Sequence, residues 1–238
     1  MRHNYALIIP ALNEAETLGT LLGLIPSGLF SQIVVVDNGS RDQTSEVSAA
    51  AGVEVVKEPR RGYGQACLAG IRGTPDSITA IAFMDADLSD NPEDLARMVR
   101  CFEEEDCDLL LGSRVLGRPE AGSLTALQSF GNWLSTRLIA MIWHVRFTDL
   151  GPMRILRRDA LVRLEMRDRT FGWNVEMQAR AAQLHLKVRE LPVAYRKRRH
   201  GQSKISGTIW GSLRAGMKIL WTILRCCLAP LPAVRPGI

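Results

Sequence analysis

Short apolar runs alternate with amphipathic stretches over the first 112 residues of the chain. The runs are typical of buried strands, and the stretches place their apolar residues on one helical face. Leu18, Leu21 and Leu22 share such a face, and Pro92 marks a helix start. The pattern predicts five strands, at 5–9, 32–36, 53–56, 78–84 and 108–112, and four helices, at 13–25, 44–51, 64–71 and 92–102.

Strands that alternate with helices at this spacing predict an α/β fold. Its central sheet should be mainly parallel, with helices on both faces. Ligand sites in such sheets lie at the carboxyl ends of the strands. We therefore expect residues 10–14, 37–40 and 85–89 to line one rim of the sheet.

The second half is less regular, with helices predicted at 124–145, 174–184 and 205–228 and strands at 154–156 and 188–195. The first and last of these helices are amphipathic and carry Trp beside cations, which is typical of helices lying at a membrane interface. Their length and charge argue against a membrane span. Packing on the protein or on a second subunit is the alternative; for 124–145 we favour the membrane side.

For the last helix, the sequence favours neither contact with a membrane surface nor contact with a second subunit. No low-complexity linker divides the chain. We therefore expect one main domain over 1–207, with the amphipathic helix and tail at 208–238 as part of the same unit.

Composition narrows the class of protein. Of 238 residues, 46% are hydrophobic and 23% charged, which excludes disordered and coiled-coil proteins. Residues 1–120 hold 10 basic and 19 acidic residues, a net charge of −9, whereas 121–238 hold 20 and 6, a net charge of +14. The acidic half suits a cation, and the basic half suits phosphates or an anionic surface. The basic residues are not interleaved with a stacking platform, so we expect no nucleic-acid partner.

Five cysteines form no CxxC pair and have no histidine at zinc spacing. They are typical of reduced thiols in a cytoplasmic protein. No secretory signal is expected at the start of the chain.

Polar residues follow three of the predicted strands. Asp85 and Asp87 lie two apart at the end of a buried strand, and residues two apart on a strand point the same way. Both carboxylates could then hold one divalent cation; a solvated pair capping the next helix is the alternative. Asp37, at the end of the second strand, could accept hydrogen bonds from a base or ribose. Asn38 and its following glycine suit a tight turn. Asn13 suits a helix N-cap.

These residues belong to a series of motifs, IPALNE, VVDNGSRDQT, RRGYGQA, FMDADLSDNP and LLLGSR, followed by DLGPMR, GWNVEM and RRHGQSK. In this order the sequence resembles family 2 glycosyltransferases of the GT-A fold. The later motifs are similar to those of dolichol-phosphate mannose synthases and bacterial polyprenyl-phosphate hexosyltransferases.

The resemblance implies an inverting, metal-dependent enzyme that moves a hexose from a UDP- or GDP-sugar to a polyprenyl phosphate. It would work as a peripheral protein at the cytoplasmic face of the membrane, with a homodimer or a membrane partner protein left open. A saccharide or small-molecule hydroxyl is the alternative acceptor.

The resemblance also assigns roles to residues. Those around the donor would be Pro10, Leu12, Asn13, Glu14, Asp37, Ser40, Gly64 and Asp85. Asp85 and Asp87 would hold Mg²⁺ or Mn²⁺. The catalytic group would be Asp87, Asp149 and Arg114, and the phosphate and acceptor group Arg114, Arg198, Ser203 and Lys204. The chain departs from the family at Leu12, where Tyr is frequent, and at Ser89, where some relatives have Gln.

Two further acidic residues have alternative roles. Asp149 would be the base for a hydroxyl acceptor, or would cap the turn at Gly151; both readings stay open. Glu176 is interpreted as a first-turn helix residue.

Overall fold

The structure is a computed structural model that describes residues 4–198 and 209–228, and in α8 it describes the side chains from residue 216 onward. In these ranges the strands are β1 (Tyr5–Ala11), β2 (Gln32–Asp37), β3 (Glu54–Lys57), β4 (Ala80–Phe83), β5 (Leu109–Ser113), β6 (Arg154–Arg157) and β7 (Val188–Pro192). The helices are α1 (Ala15–Leu24), α2 (Thr44–Ala50), α3 (Tyr63–Arg72), α4 (Asp94–Glu104), α5 (Ala126–Trp143), α6 (Arg158–Leu164), α7 (Trp173–Gln183) and α8 (Ile209–Leu228).

The seven strands form one sheet in the order β3-β2-β1-β4-β6-β5-β7. Strands β1 to β4 pair in parallel, as do β5 and β7. Strand β6 runs antiparallel between β4 and β5. The predicted mainly parallel α/β sheet is confirmed, and the one antiparallel strand comes from the second half of the chain.

Alternate residues of the central strands enter two hydrophobic cores, one on each face of the sheet. Ile8 and Phe83 join one core, where Phe83 meets Trp173 edge to face with ring centroids 6.3 Å apart. Leu7 joins the other core with Leu18 of α1 and other residues. This division follows from the two-residue period of a strand, and it confirms that both faces are covered.

Several predicted boundaries are wrong. Helix α6 was missed because it follows β6 directly, with no intervening loop to mark its start. The predicted strand 188–195 ends at Pro192, and Tyr195 forms only an isolated bridge with Asp90. Helices α1 and α4 begin two residues later than predicted. The predicted start of the last helix, at 205, lies outside the described residues.

Helix α8 packs against α5 and α7 of the same chain. Its inner side buries Thr222, Ile223 and Cys226. Its outer side exposes an apolar row, and α5 also exposes large apolar side chains; the exposed members are Met217, Leu220, Trp221, Leu224 and Leu228 of α8 and Leu127, Phe130, Trp133, Met141 and Ile142 of α5. Within the described ranges no helix has the length and apolarity required to cross a bilayer.

Candidate active site

The acidic pair follows β4 but does not lie on it. The strand ends at Phe83, so Asp85 and Asp87 sit in the bend beyond it, and the prediction that strand geometry aligns them is wrong. Asp87 is buried, and its Oδ1 accepts a hydrogen bond of 2.9 Å from the backbone N–H of Ser89. The Asp87 carboxylate therefore stabilises the bend to which it belongs.

Asp85 has the chemistry of a cation ligand. Its Oδ1 is buried and finds no hydrogen-bond partner among the described residues. Burial, followed by the negative charge of Asp87, raises the pKa of Asp85 to about 7. An unsatisfied carboxylate oxygen beside a second carboxylate fits a hard divalent cation.

The chain supplies only part of a coordination shell. Among the described residues, no group of three or more His, Cys, Asp or Glu side chains has metal-binding geometry. A cation held by Asp85 and Asp87 would therefore need ligands from water or from a bound phosphate, as is usual for Mg²⁺.

Asp90 is a site residue that the sequence analysis missed. It is 1% exposed, and neither carboxylate oxygen has a hydrogen-bond partner in the described part of the chain. Burial, then the charges of Asp85 and Asp87, hold its pKa well above the usual range. The signal in the sequence is the third acid of DADLSD, which follows the pair at a distance of three residues.

Arg198 lies over the acidic rim. Its Nη2 is 2.6 Å from Oδ2 of Asp87, and its Nη1 is 3.3 Å from Oε1 of Glu14. Burial alone would lower the pKa of Arg198, but these two carboxylates outweigh it and raise the pKa. The predicted phosphate-binding arginine thus bridges a predicted metal-binding carboxylate, Asp87, and a predicted donor-binding one, Glu14. Ser203 and Lys204 lie outside the described residues.

Arg114 and Asp149 form a tight buried pair. Asp149 Oδ2 accepts hydrogen bonds of 2.8 Å from the backbone N–H and Nε of Arg114, and Oδ1 accepts one of 2.8 Å from Nη2. The arginine also stacks over the Tyr195 ring, with Cζ 4.9 Å from the ring centroid. Burial alone would lower the pKa of Arg114, but the bonds to Asp149 outweigh it and raise the pKa.

Asp149 is committed to its own chain. Besides Arg114, its Oδ1 accepts a hydrogen bond of 2.8 Å from the Leu150 N–H, and the residue is 1% exposed. Such an arrangement orients Arg114 and Leu150. A role in taking a proton from an acceptor stays a prediction, and the capping role at the Asp149–Gly151 turn matches the hydrogen bond to Leu150.

Arg154 is a second buried cation whose role the sequence analysis did not assign. It is 0% exposed, and its guanidinium donates hydrogen bonds to the carbonyls of Gly151 and Pro152. Burial lowers its pKa, while nearby Asp149 and Asp85 act in the opposite direction. Arg154 therefore holds the DLGPMR turn through two of its carbonyls and adds a positive charge close to Asp149 and Asp85.

Asp37 organises the turn after β2. Its Oδ1 accepts from the Ser40 N–H at 2.8 Å, and its Oδ2 accepts from the Ser45 hydroxyl at 2.5 Å. Burial alone would raise its pKa, but these hydrogen bonds outweigh burial and lower it. Asn38 acts structurally, as predicted: it donates to the carbonyls of Glu58 and Arg60. Contact between Asp37 and a ligand stays a prediction.

Asn13 is not the N-cap of α1, so that prediction is wrong. Glu14 occupies the N-cap, and Asn13 adopts a φ of 52°. Its backbone N–H donates to the Ser40 hydroxyl at 2.9 Å, and its Oδ1 accepts from the Arg41 N–H at 2.7 Å. The helix start is capped from the β2–α2 loop, because Asp42 Oδ2 accepts from the Ala15 N–H at 3.1 Å.

The remaining predicted donor residues border the same rim. Pro10 pairs with Val36 in the β1–β2 ladder, and Leu12 is half-buried just beyond β1. Gly64 lies in the first turn of α3, where its N–H donates to the Thr170 carbonyl at 3.3 Å. Their contacts with a donor stay predictions.

The mainly parallel sheet, whose carboxyl edge at β1, β2 and β4 carries acidic and basic side chains, has the fold of GT-A glycosyltransferases. The chain belongs to one family of them: the model for glycosyl transferase family 2 matches residues 6–164. An uncharacterized glycosyltransferase of Mycobacterium tuberculosis is 38% identical over 215 residues, covering 87% of this chain and 92% of the relative. The chain is thus an enzyme that transfers a sugar.

Two further proteins bear on the details. An undecaprenyl-phosphate mannosyltransferase of Micrococcus luteus is 29% identical over 238 residues, covering 93% of this chain and 97% of the relative. The crystal structure of glucosyl-3-phosphoglycerate synthase from Mycobacterium tuberculosis with Mn²⁺, UDP and glucosyl-3-phosphoglycerate has a TM-score of 0.76 and 19% identity. It covers 96% of this chain and 81% of its own, and it confirms the predicted fold.

Proposed function

We propose that this glycosyltransferase moves a hexose from a nucleotide-diphospho-sugar to a polyprenyl phosphate, with inversion at the anomeric carbon. The observation that carries the acceptor is the state of Asp149, whose two oxygens are occupied by Arg114 and Leu150. A hydroxyl acceptor requires a base, whereas a phosphate is already an anionic nucleophile. The undecaprenyl-phosphate mannosyltransferase similarity supports the same choice.

The donor would bind along the rim formed by the ends of β1, β2 and β4. The Asp37 turn would face the nucleoside, and the Asp85–Asp87 bend would face the diphosphate. Mg²⁺ or Mn²⁺ held by Asp85 and Asp87 would stabilise the negative charge of the departing diphosphate. The neighbour of the same fold that was solved with Mn²⁺ and UDP supports the choice of a divalent cation.

Two arginines of this chain would handle the phosphates. Arg114 is pre-oriented by three hydrogen bonds to Asp149, so its charge needs little reorganisation when the leaving group departs. Arg198 would exchange its contacts with Asp87 and Glu14 for phosphate oxygens. The acceptor phosphate oxygen then forms the new bond to the anomeric carbon as the bond to the nucleoside diphosphate breaks.

The exposed apolar rows of α5 and α8 support work at a membrane surface. Phe130 and Trp133 of α5 have ring centroids 5.9 Å apart and are 55% and 57% exposed. Trp221 on α8 is 59% exposed. Aromatic side chains of this kind favour the lipid headgroup region. We infer peripheral attachment to the cytoplasmic face, where the acceptor phosphate would be presented.

The test is sugar transfer from labelled UDP- and GDP-hexoses with Mg²⁺ or Mn²⁺, in vesicles with and without undecaprenyl phosphate. Transfer that requires the lipid phosphate and is lost in Asp87→Ala is the expected result. Asp76→Ala, at an exposed carboxylate far from the rim, is the matched control and should retain activity.

Transfer to a saccharide or small hydroxyl compound, with no response to the lipid, would overturn the acceptor but keep the donor chemistry. No turnover of any nucleotide sugar would overturn both. A Trp133→Glu/Trp221→Glu variant should retain nucleotide-sugar binding but bind vesicles more weakly; unchanged vesicle binding would contradict the membrane role.

A further inference from the structure

Two buried acids outside the acidic bend hold α8 on the domain. Asp168 Oδ2 lies 2.8 Å from Nζ of Lys218, and Glu176 Oε1 lies 2.9 Å from Nη2 of Arg225. The side chains of both acids are 0% exposed. Lys218 and Arg225 of α8 therefore pair with buried acids of the same chain, whereas the sequence left the contact of this helix open between a membrane surface and a dimer.

Asp168 also holds the turn that follows it. Its Oδ1 accepts hydrogen bonds from the N–H groups of Thr170 at 2.8 Å and Gly172 at 3.2 Å. One carboxylate oxygen thus fixes α8, and the other fixes residues 168–172. Removing Lys218 would leave the buried Asp168 carboxylate with Arg225 Nη2, at 3.9 Å, as its remaining α8 cation, which is costly.

The same turn packs directly on the start of α3. The Gln65 N–H donates to the Arg169 carbonyl at 2.9 Å, and Arg169 Nη1 donates to Gln65 Oε1 at 2.6 Å. A Cβ added at Gly62 or Gly64 would overlap the carbonyl oxygens of Arg169 or Asp168. The two backbones are therefore in closest contact, and a shift of one requires a shift of the other.

The start of α3 forms part of the proposed donor rim. The Gly62 N–H donates to Asn38 Oδ1 at 2.7 Å, directly after Asp37. Tyr63 is half-buried with its hydroxyl oxygen enclosed, and burial, then the charge of Asp85, hold the pKa of its phenol well above the usual range. The path from α8 to the rim thus consists of the 168–172 turn and one helix start.

We propose that Asp168 is a positioning residue that couples the docking of α8 to the shape of the donor rim. Docked α8 neutralises Asp168, the neutralised turn keeps its form, and the turn sets α3 against Asn38 and Asp85. Coupling through a shared element is reciprocal, so nucleotide binding must in turn tighten α8. This inference rests on the proposed function only in taking the rim as the nucleotide site.

The experiment compares the full-length wild type with Lys218→Met and a matched control, Arg189→Met. Arg189 is also a cation paired with an acid, Glu105 at 3.1 Å, but the pair is exposed and lies elsewhere. Two measurements are made: amide hydrogen exchange at residues 62–65, without ligand, and the affinity for UDP and GDP with Mn²⁺. Lys218→Met should speed exchange at 62–65 and weaken nucleotide binding about fivefold or more. Arg189→Met should change neither.

A second readout uses reciprocity. In the wild type, the nucleotide with Mn²⁺ should slow amide exchange in α8 as well as in residues 168–172. If Lys218→Met is unstable, Thr222→Val replaces it. That change keeps Lys218 and removes a hydroxyl that donates to Asp168 Oδ2 at 3.4 Å and to the Lys218 carbonyl at 2.8 Å. A general loss of stability would speed exchange everywhere, whereas the coupling predicts a change concentrated at α8, the turn and the start of α3.

The outcomes separate the two proposals. If the wild type binds neither nucleotide, the proposed function fails, while exchange at 62–65 still decides the coupling. If the wild type binds nucleotide but Lys218→Met and Thr222→Val match Arg189→Met in exchange and affinity, the coupling is overturned and the proposed function stands.

Discussion

Replacing Asp149 by Asn tests whether this residue holds Arg114 or works as a base. The carboxylate accepts three hydrogen bonds of 2.8 Å from Arg114 and a fourth from the Leu150 N–H. Asn has the same shape as Asp, but its amide nitrogen replaces one acceptor oxygen. That nitrogen is a donor and would face the N–H donors of Arg114 or Leu150. The substitution also leaves the Arg114 charge, in a side chain only 14% exposed, without its counter-ion.

The expected loss of stability is large. Removing one partner of a buried pair costs about 3–5 kcal/mol. For a chain of this size each kcal/mol lowers the melting temperature by about 2–4 °C, so Asp149→Asn should melt roughly 6–20 °C below the wild type. Glu105→Gln breaks the exposed pair with Arg189 and serves as the control, with a shift below about 4 °C.

The assay is thermal unfolding followed by circular dichroism, without nucleotide or metal. The double variant Arg114→Met/Asp149→Leu should recover most of the stability, because an apolar pair replaces a buried ion pair at little cost. Melting of Asp149→Asn within the control's range would refute the orienting role.

Turnover gives an independent answer at the same residue. If Asp149 orients Arg114, Asp149→Asn lowers kcat by a similar factor at every pH. If Asp149 is the base, the ionisation that limits turnover at low pH disappears from the profile. That second outcome would also revive the hydroxyl acceptor.

Four other predictions concern the rim and its supporting helix α3. Since burial and Asp87 raise the pKa of Asp85 to about 7, Mn²⁺ affinity measured by calorimetry should rise about tenfold per pH unit below 7 and level off above it; a flat profile would contradict this. The folded protein keeps the Asp85 proton up to that pKa, while the unfolded chain loses it near 3.8, so this group makes the metal-free protein less stable as pH rises between the two values. Arg198→Ala should tighten Mn²⁺ binding about fivefold without nucleotide, because it removes a cation that competes for Asp87 with an interaction energy of ~1 kcal/mol. The same variant should slow sugar transfer. Weaker Mn²⁺ binding would contradict the prediction. Gly64→Ala should lower the melting temperature strongly because its Cβ overlaps the Asp168 carbonyl, whereas Gly131→Ala, in open space on α5, should raise stability by up to about 1 kcal/mol.

The sequence was sufficient for the features that repeat or lie close together in the chain. The strand and helix periods predicted the α/β sheet, and the ends of β1, β2 and β4 were correctly placed on one rim. Asn38 was correctly interpreted as a turn residue, since Asx side chains bond to nearby backbone. Local chemistry alone supports such interpretations.

Contacts between distant segments were beyond the sequence. Asn13 was taken for an N-cap because its neighbours in the chain suggest one, but the loop 27 residues later supplies Ser40 as its partner. Nothing local indicates that Arg198 meets Asp87, or that Lys218 turns inward to Asp168. An amphipathic pattern shows that a helix has an apolar and a polar face. It does not show which acidic residue pairs with a cation of that helix.

The uneven charge of the two halves suggested two separate tasks, an acidic front for a cation and a basic back for phosphates. The fold brings both to one place, because Arg198 of the basic half pairs with Glu14 and Asp87 of the acidic half. The sheet also combines strands from both halves of the chain, because β5 of the first half pairs with β6 and β7 of the second half. A fragment of residues 1–120 would keep β5 with neither of them.

We therefore expect the 1–120 fragment to lack a cooperative melting transition, and mixing it with 121–238 to restore one. Unpaired strand edges and the uncompensated charge of −9 both oppose folding of the front half alone. High salt would screen the charge but would not supply the missing strands. A cooperative transition for 1–120 by itself, in low or high salt, would show that the acidic half is an independent cation-binding unit after all.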